Sequence, residues 1–107
     1  MRGLTIIVAG DDPQRFGTAL AMAAAHAALG GSTNLFADGA AVVLLAGLTE
    51  DRRALIDTAL ELGVRILACQ TGLADTGLAF AALDPRIEAG GLVGVLAAIG
   101  DDRLVVV

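Results

Sequence analysis

A chain of 107 residues with one cysteine, no Trp or Tyr, and a formal charge of −5 is constrained before any element is read. It is the size of a single domain, residues 1–107, able to bury a core without disulfides, and its lone thiol has no internal partner. Every basic residue is Arg, scattered singly except for Arg52-Arg53, so no basic face exists to track phosphates and nucleic acid is excluded as a partner.

Leu4-Thr5-Ile6-Ile7-Val8-Ala9 is a short apolar run stopped by Gly10, the pattern of a strand buried on both faces. Asp11-Asp12-Pro13 then starts a helix, with an acidic cap and proline in its first turn, running to about Leu29 and ended by Gly30-Gly31. Phe16, Leu20, Ala23 and Ala27 form its apolar face. A second strand is expected over Ser32–Phe36, and Asp38-Gly39 reads as a turn. The block Ala40–Ala46 fits either a strand or a short buried helix, because periodicity does not decide at that length.

Thr49 caps a further helix, Glu50–Leu62, with acidic residues in its first turn and Leu55, Ile56, Ala59, Leu60 and Leu62 inward. Val64–Ala68 is the third strand, and Cys69-Gln70-Thr71-Gly72 reads as a polar turn directly after it. Asp75–Leu83 is expected as helix, Arg86-Ile87-Glu88 as a short strand, Leu92–Ile99 as a compact helix and Arg103–Val107 as a β-branched final strand. This alternation with short links specifies an α/β fold: a parallel sheet of five strands with helices on both faces.

The sequence is 56% hydrophobic but only 3% aromatic, and much of the apolar content is Ala. So small a domain struggles to hide that much apolar surface, which points to a homo-oligomer. Leu4–Gly10 is too short for a secretory core, and Gly39–Leu48 is about half a membrane span, so neither export nor a membrane partner is expected. The expected compartment is the cytoplasm, where a lone thiol stays reduced.

Cys69 lies where parallel α/β proteins collect ligands, beyond the carboxyl end of a strand. Free cysteine is often just a small buried hydrophobe, and that is one reading of it. The other is a reactive thiol, since the amino end of a following helix favours the anionic form that attacks. With no second cysteine, dithiol–disulfide cycling within the chain is excluded, but a single thiolate can accept a sulfane sulfur and hold it as a persulfide. A cysteine hydrolase would want an imidazole base, and His26, deep in the Ala-rich helix, reads as a packed helix residue. Asp11 and Asp12 read as a helix cap rather than a metal site. The third strand ends in Cys69 instead of Asp, no lysine is present, and no metal-ligand spacing occurs, so neither metal nor cofactor is expected. Gly10-Asp11-Asp12-Pro13 matches neither dinucleotide nor Walker glycine patterns.

Four stretches together resemble the DsrE/DsrF-like family of small sulfur-relay proteins. They are the opening strand with Asp11-Asp12-Pro13 and its helix, Leu35-Phe36-Ala37-Asp38-Gly39 through Leu45, Val64 through Cys69-Gln70-Thr71-Gly72, and Gly90-Gly91-Leu92-Val93 through Val107. The resemblance implies a flavodoxin-like three-layer α/β/α sandwich with a mostly parallel five-stranded sheet, assembled as a trimer or hexamer. It also implies that Ala40–Leu45 is helical and near the site. In that reading Cys69 carries sulfur as a persulfide to the reactive cysteine of a small acceptor protein. Backbone N–H groups of Gln70, Thr71 and Gly72 steady the anion, and Phe36, Asp38 and Gly39 wall the pocket. The alternative reading is a non-catalytic oligomeric binding or assembly module with a passively packed Cys69, and a single-thiol redox sensor is a third.

Overall fold

The computed structural model describes residues 1–107. In chain order it comprises β1 (Leu4–Ala9), α1 (Pro13–Ala28), β2 (Thr33–Asp38), a 3₁₀ segment (Gly39–Leu45), α2 (Glu50–Glu61), β3 (Arg65–Cys69), α3 (Gln70–Thr76), a 3₁₀ turn (Phe80–Ala82), β4 (Glu88–Gly90), α4 (Leu92–Ala97) and β5 (Arg103–Val106). The strands form one sheet in the order β4-β3-β2-β1-β5, and every pair is parallel. The expected α/β sandwich is present, with a sheet that is wholly rather than mostly parallel. Its strand order differs from the flavodoxin order, 2-1-3-4-5.

Register separates the two faces, because side chains alternate along a strand and partners in a row share a side. Ile6, Leu35 and Ile66 make one row and Val8, Ala37 and Ala68 the next, all fully buried. Over them α1 lays Phe16, Ala19, Leu20 and Ala23, and α2 lays Ile56 and Ala59. Burying each large aliphatic or aromatic side chain here contributes about 1.5–3 kcal/mol. Arg52 on α2 fastens the two helices: its guanidinium stands 5.1 Å from the Phe16 ring centroid and donates to the Pro13 carbonyl at 2.9 Å.

The other face carries Val106, Ile7, Phe36 and Leu67 in one row. Right-handed crossovers keep α1, α2 and α3 on the first face as the chain steps from β1 to β4; the return to β5 puts α4 on the second. That single helix of six residues makes few contacts with any other element. Phe36 is fully buried there, yet Leu104, Val106, Leu92, Val93 and Leu96 are exposed. No helix is long and apolar enough to cross a membrane.

Several expectations shift. The second strand extends to Asp38, and the ambiguous apolar block is a 3₁₀ helix with Ala41, Val42 and Leu45 buried. Leu62, expected inward, caps α2 and is 42% exposed. No separate turn follows β3. Helix α3 begins immediately at Gln70 and stops at Gly77, whose φ of +69° reverses the chain, so the helix expected over Asp75–Leu83 is absent. The fourth strand begins at Glu88 instead of Arg86, because Asp84 captures the Arg86 backbone N–H at 2.9 Å and holds that stretch in a turn.

Candidate functional site

Cys69 is the last residue of β3 and the N-cap of α3, the position where Ser, Thr, Asp or Asn normally accept an N–H from the first turn. Sulfur fills that role here: the Gly72 N–H donates to Cys69 Sγ at 3.3 Å. Gly72 must be glycine. A Cβ there would collide with the Gly39 carbonyl, so the start of α3 lies directly on the start of the 3₁₀ segment.

Register completes the row. The pairing of Ala37 with Ala68 brings Asp38 beside Cys69, and Cys69 pairs with Gly90 on its other side. Gly90 offers no side chain, and Gly91 then leads into α4. The result is an open cavity of about 440 Å³ lined by Asp38, Gly39, Cys69, Thr71, Gly91, Leu92 and Val93. Cys69 is 7% exposed, at the edge of the core but bordering this space.

Asp38, Gly39 and Thr71 therefore line the same cavity as Cys69. The remaining expected site residues do not line the cavity. Phe36 shares the sheet face but is fully buried one row deeper, and exposed Gln70 turns elsewhere. Gly72 is buried and contributes its N–H, the one first-turn donor that reaches the sulfur. Gly91, Leu92 and Val93 were missed as site residues. Their signal was the Gly90-Gly91 pair at the end of a strand, where the parallel sheet gathers its loops at the same edge as Cys69.

His26 belongs to a different cluster. Thr33 Oγ1 donates its only proton to the Gly31 carbonyl at 2.9 Å, so His26 Nδ1, 2.8 Å away, donates to Thr33. Asp12 caps α1 by accepting the Gln14 N–H at 2.9 Å. A larger cavity of about 590 Å³ lies between α2 and the 82–87 strap and does not include Cys69. At its rim Arg86 donates to Asp84 at 2.8 Å and to Asp57 at 2.7 Å, fastening the strap to α2. Hydrogen bonds from Arg86 hold the Asp84 carboxyl below its ordinary range, and those from Arg65 do the same for Glu88.

No protein-family model matches this sequence, and no curated protein matches it. Solved structures do match. YchN from Escherichia coli superposes with a TM-score of 0.84 at 18% identity over 100% of both chains. MTH1491 from Methanobacterium thermoautotrophicum, a protein of unknown function, superposes with a TM-score of 0.84 at 16% identity, again over 100% of both. BT1422 from Bacteroides thetaiotaomicron, a conserved protein of unknown function, gives a TM-score of 0.78 at 22% identity over 98% of this chain and 94% of its own. At these identities the likeness establishes the fold: this chain has the same small, wholly parallel α/β architecture end to end.

Proposed function

We propose that this protein is a DsrE/DsrF-like sulfur carrier whose Cys69 receives and passes on sulfane sulfur. The observation that supports it is the lone sulfur capping α3 while bordering an open cavity at the carboxyl edge of the sheet. An N–H···S bond strengthens when its acceptor carries charge, so Gly72 suits both the attacking thiolate and a leaving one.

The chemistry is two exchanges. Cys69 as thiolate attacks the outer sulfur of a donor persulfide, R–S–SH. The donor S–S bond breaks, the donor leaves as R–S⁻, and Cys69 becomes Cys–S–SH. A thiolate on an acceptor protein then attacks that outer sulfur and Cys69 leaves as thiolate. No net oxidation occurs, and the proton stays on the transferred sulfur. The absence of a second cysteine makes the acceptor a separate molecule. The working form in this proposal is a cytoplasmic homo-oligomer, a trimer or hexamer, in which copies cover the exposed Leu92, Val93, Leu96, Leu104 and Val106.

Loading with a sulfane donor followed by intact mass measurement tests the carrier role. One added sulfur on the wild type and none on Cys69→Ser is expected. No addition, or equal addition to both, rejects it and favours an assembly module with a passive thiol.

A further inference from the structure

Among the residues lining the Cys69 cavity, Asp38 is the only acid, and no base is present. Its side chain makes no capping hydrogen bond and joins no ion pair. The half-buried carboxylate is therefore an uncompensated negative charge in the register row of the thiol. The N–H donor that α3 does offer points at the sulfur itself. On the far side of the cavity Leu92 and the nearly bare Val93 give an apolar rim. The chain as a whole carries −5, which adds a long-range field of the same sign.

Resting on the reading of Cys69 as the reacting thiol, we infer that Asp38 determines which sulfur compounds reach it. A carboxylate at the lip of a partly desolvated cavity disfavours an approaching anion and favours a cation, because the interaction is stronger there than in bulk water. A small dianion such as thiosulfate finds no basic group to bind its charged end. The donor is instead a sulfur carried on a protein segment whose cysteine is flanked by basic side chains, which meet Asp38.

The test measures charge selectivity at Cys69 directly. Two methanethiosulfonates of similar size, one bearing a trimethylammonium and one a sulfonate, each convert the thiolate to a mixed disulfide with release of methanesulfinate. Their second-order rate constants are divided by those for a free thiol in the same buffer. The wild type is expected to prefer the cation by about tenfold, equivalent to about 1.4 kcal/mol. Asp38→Asn, nearly the same shape, is expected to lower that preference about threefold or more. Raising salt toward 1 M, where the Debye length falls to about 3 Å, is expected to shrink it in the wild type. A normalised ratio near one, or a ratio unchanged in Asp38→Asn, overturns the inference and leaves the carrier role standing. A charge preference as expected in a protein that never accepts sulfane sulfur removes the carrier role and leaves the selectivity. No labelling of Cys69 by either reagent overturns both.

Discussion

Gly72 rests its Cα against the carbonyl of Gly39, and this contact joins the start of α3 to the start of the 3₁₀ segment beneath the Cys69 cavity. The approach excludes a side chain on Gly72, whereas a Cβ on Gly39 would meet nothing within 4 Å. Gly39 favours glycine for a different reason, its φ of +53°. The pair fixes where the Gly72 N–H lies, and so fixes the donor to Cys69 Sγ.

Substituting Gly72 by Ala is therefore expected to force the two segments apart. Overpacking of this kind costs about 1–3 kcal/mol. In a domain of this size each kcal/mol lowers Tm by about 4–8 °C. Gly91→Ala is the control at the same cavity: a Cβ there meets nothing within 4 Å, and the residue is extended with φ of −145°. It is expected to leave Tm unchanged while slowing the labelling of Cys69 by bulky thiol reagents. Thermal denaturation and labelling kinetics on both variants check the pair of expectations.

The capping role of the sulfur separates two substitutions at Cys69. Ser restores a stronger acceptor at the N-cap, whereas Ala leaves the Gly72 N–H without one. Loss of a cap costs about 0.5–2 kcal/mol. Cys69→Ser is expected to be the more stable of the two by a margin in that range, with both unable to carry sulfur. Urea unfolding of the two variants measures the difference.

Much of this arrangement was legible from the order of residues. The strand ending in Cys69 followed from Val64–Ala68, and the helix starts at Asp12 and Thr49 followed from their capping chemistry, which the Gln14 and Arg52 N–H groups confirm. Asp38 and Gly39 were placed beside the thiol by resemblance and lie there by register. What escaped was long-range. Gln70-Thr71-Gly72 looked like a turn because Gly and Thr are weak helix formers, yet burial of Gly72 and Leu73 against the 3₁₀ segment overrides that preference. Phe36 was expected as a pocket wall at the end of the second strand, which instead runs on to Asp38. Its full burial one row deeper depends on what covers it, which no local pattern encodes.

The His26 cluster makes a prediction of its own. Gly31 lies against the imidazole, and a Cβ there would overlap the ring. Gly31→Ala is expected to swing the half-exposed His26 ring away from Thr33, breaking the 2.8 Å bond at a cost of about 0.5–1.5 kcal/mol. Thr33→Val removes the same hydrogen bond without moving the ring and is expected to cost a similar amount, about 0.5–1.5 kcal/mol. Chemical denaturation of both, with the His26 ring resonances followed by NMR, separates steric from hydrogen-bonding loss.

Acid sensitivity follows from the two depressed carboxylates. Asp84 is lowered chiefly by its side-chain hydrogen bond with Arg86, and Glu88 by its bond with Arg65. A folded-state value below the unfolded one contributes stability that is present above the unfolded range, about pH 4, and is lost as pH falls through the folded value. The Arg65–Glu88 pair is solvent-exposed, so it is worth under about 1 kcal/mol. Arg65→Met is expected to lower the urea midpoint slightly at pH 6, and the gap from wild type is expected to close by pH 3. A gap that stays constant across that range would show that Arg65 acts by packing rather than by charge.

The thinly covered sheet face gives a test of assembly. Val93 is 85% exposed on α4 and Val106 is 64% exposed on β5, so neither contributes much to the fold of a single chain. A charge placed at either site is expected to cost the monomer within about 0.5 kcal/mol. In an interface between copies the same charge would be desolvated and unpaired, which is far more costly. Val93→Asp and Val106→Asp are therefore expected to keep their far-UV spectrum but to sediment as smaller species than the wild type across a concentration series. Wild-type protein that sediments as a monomer at every concentration would refute the oligomer outright. A wild-type oligomer that both variants preserve would place its contacts on the other face, over α1 and α2, where Met22 and Leu29 are exposed.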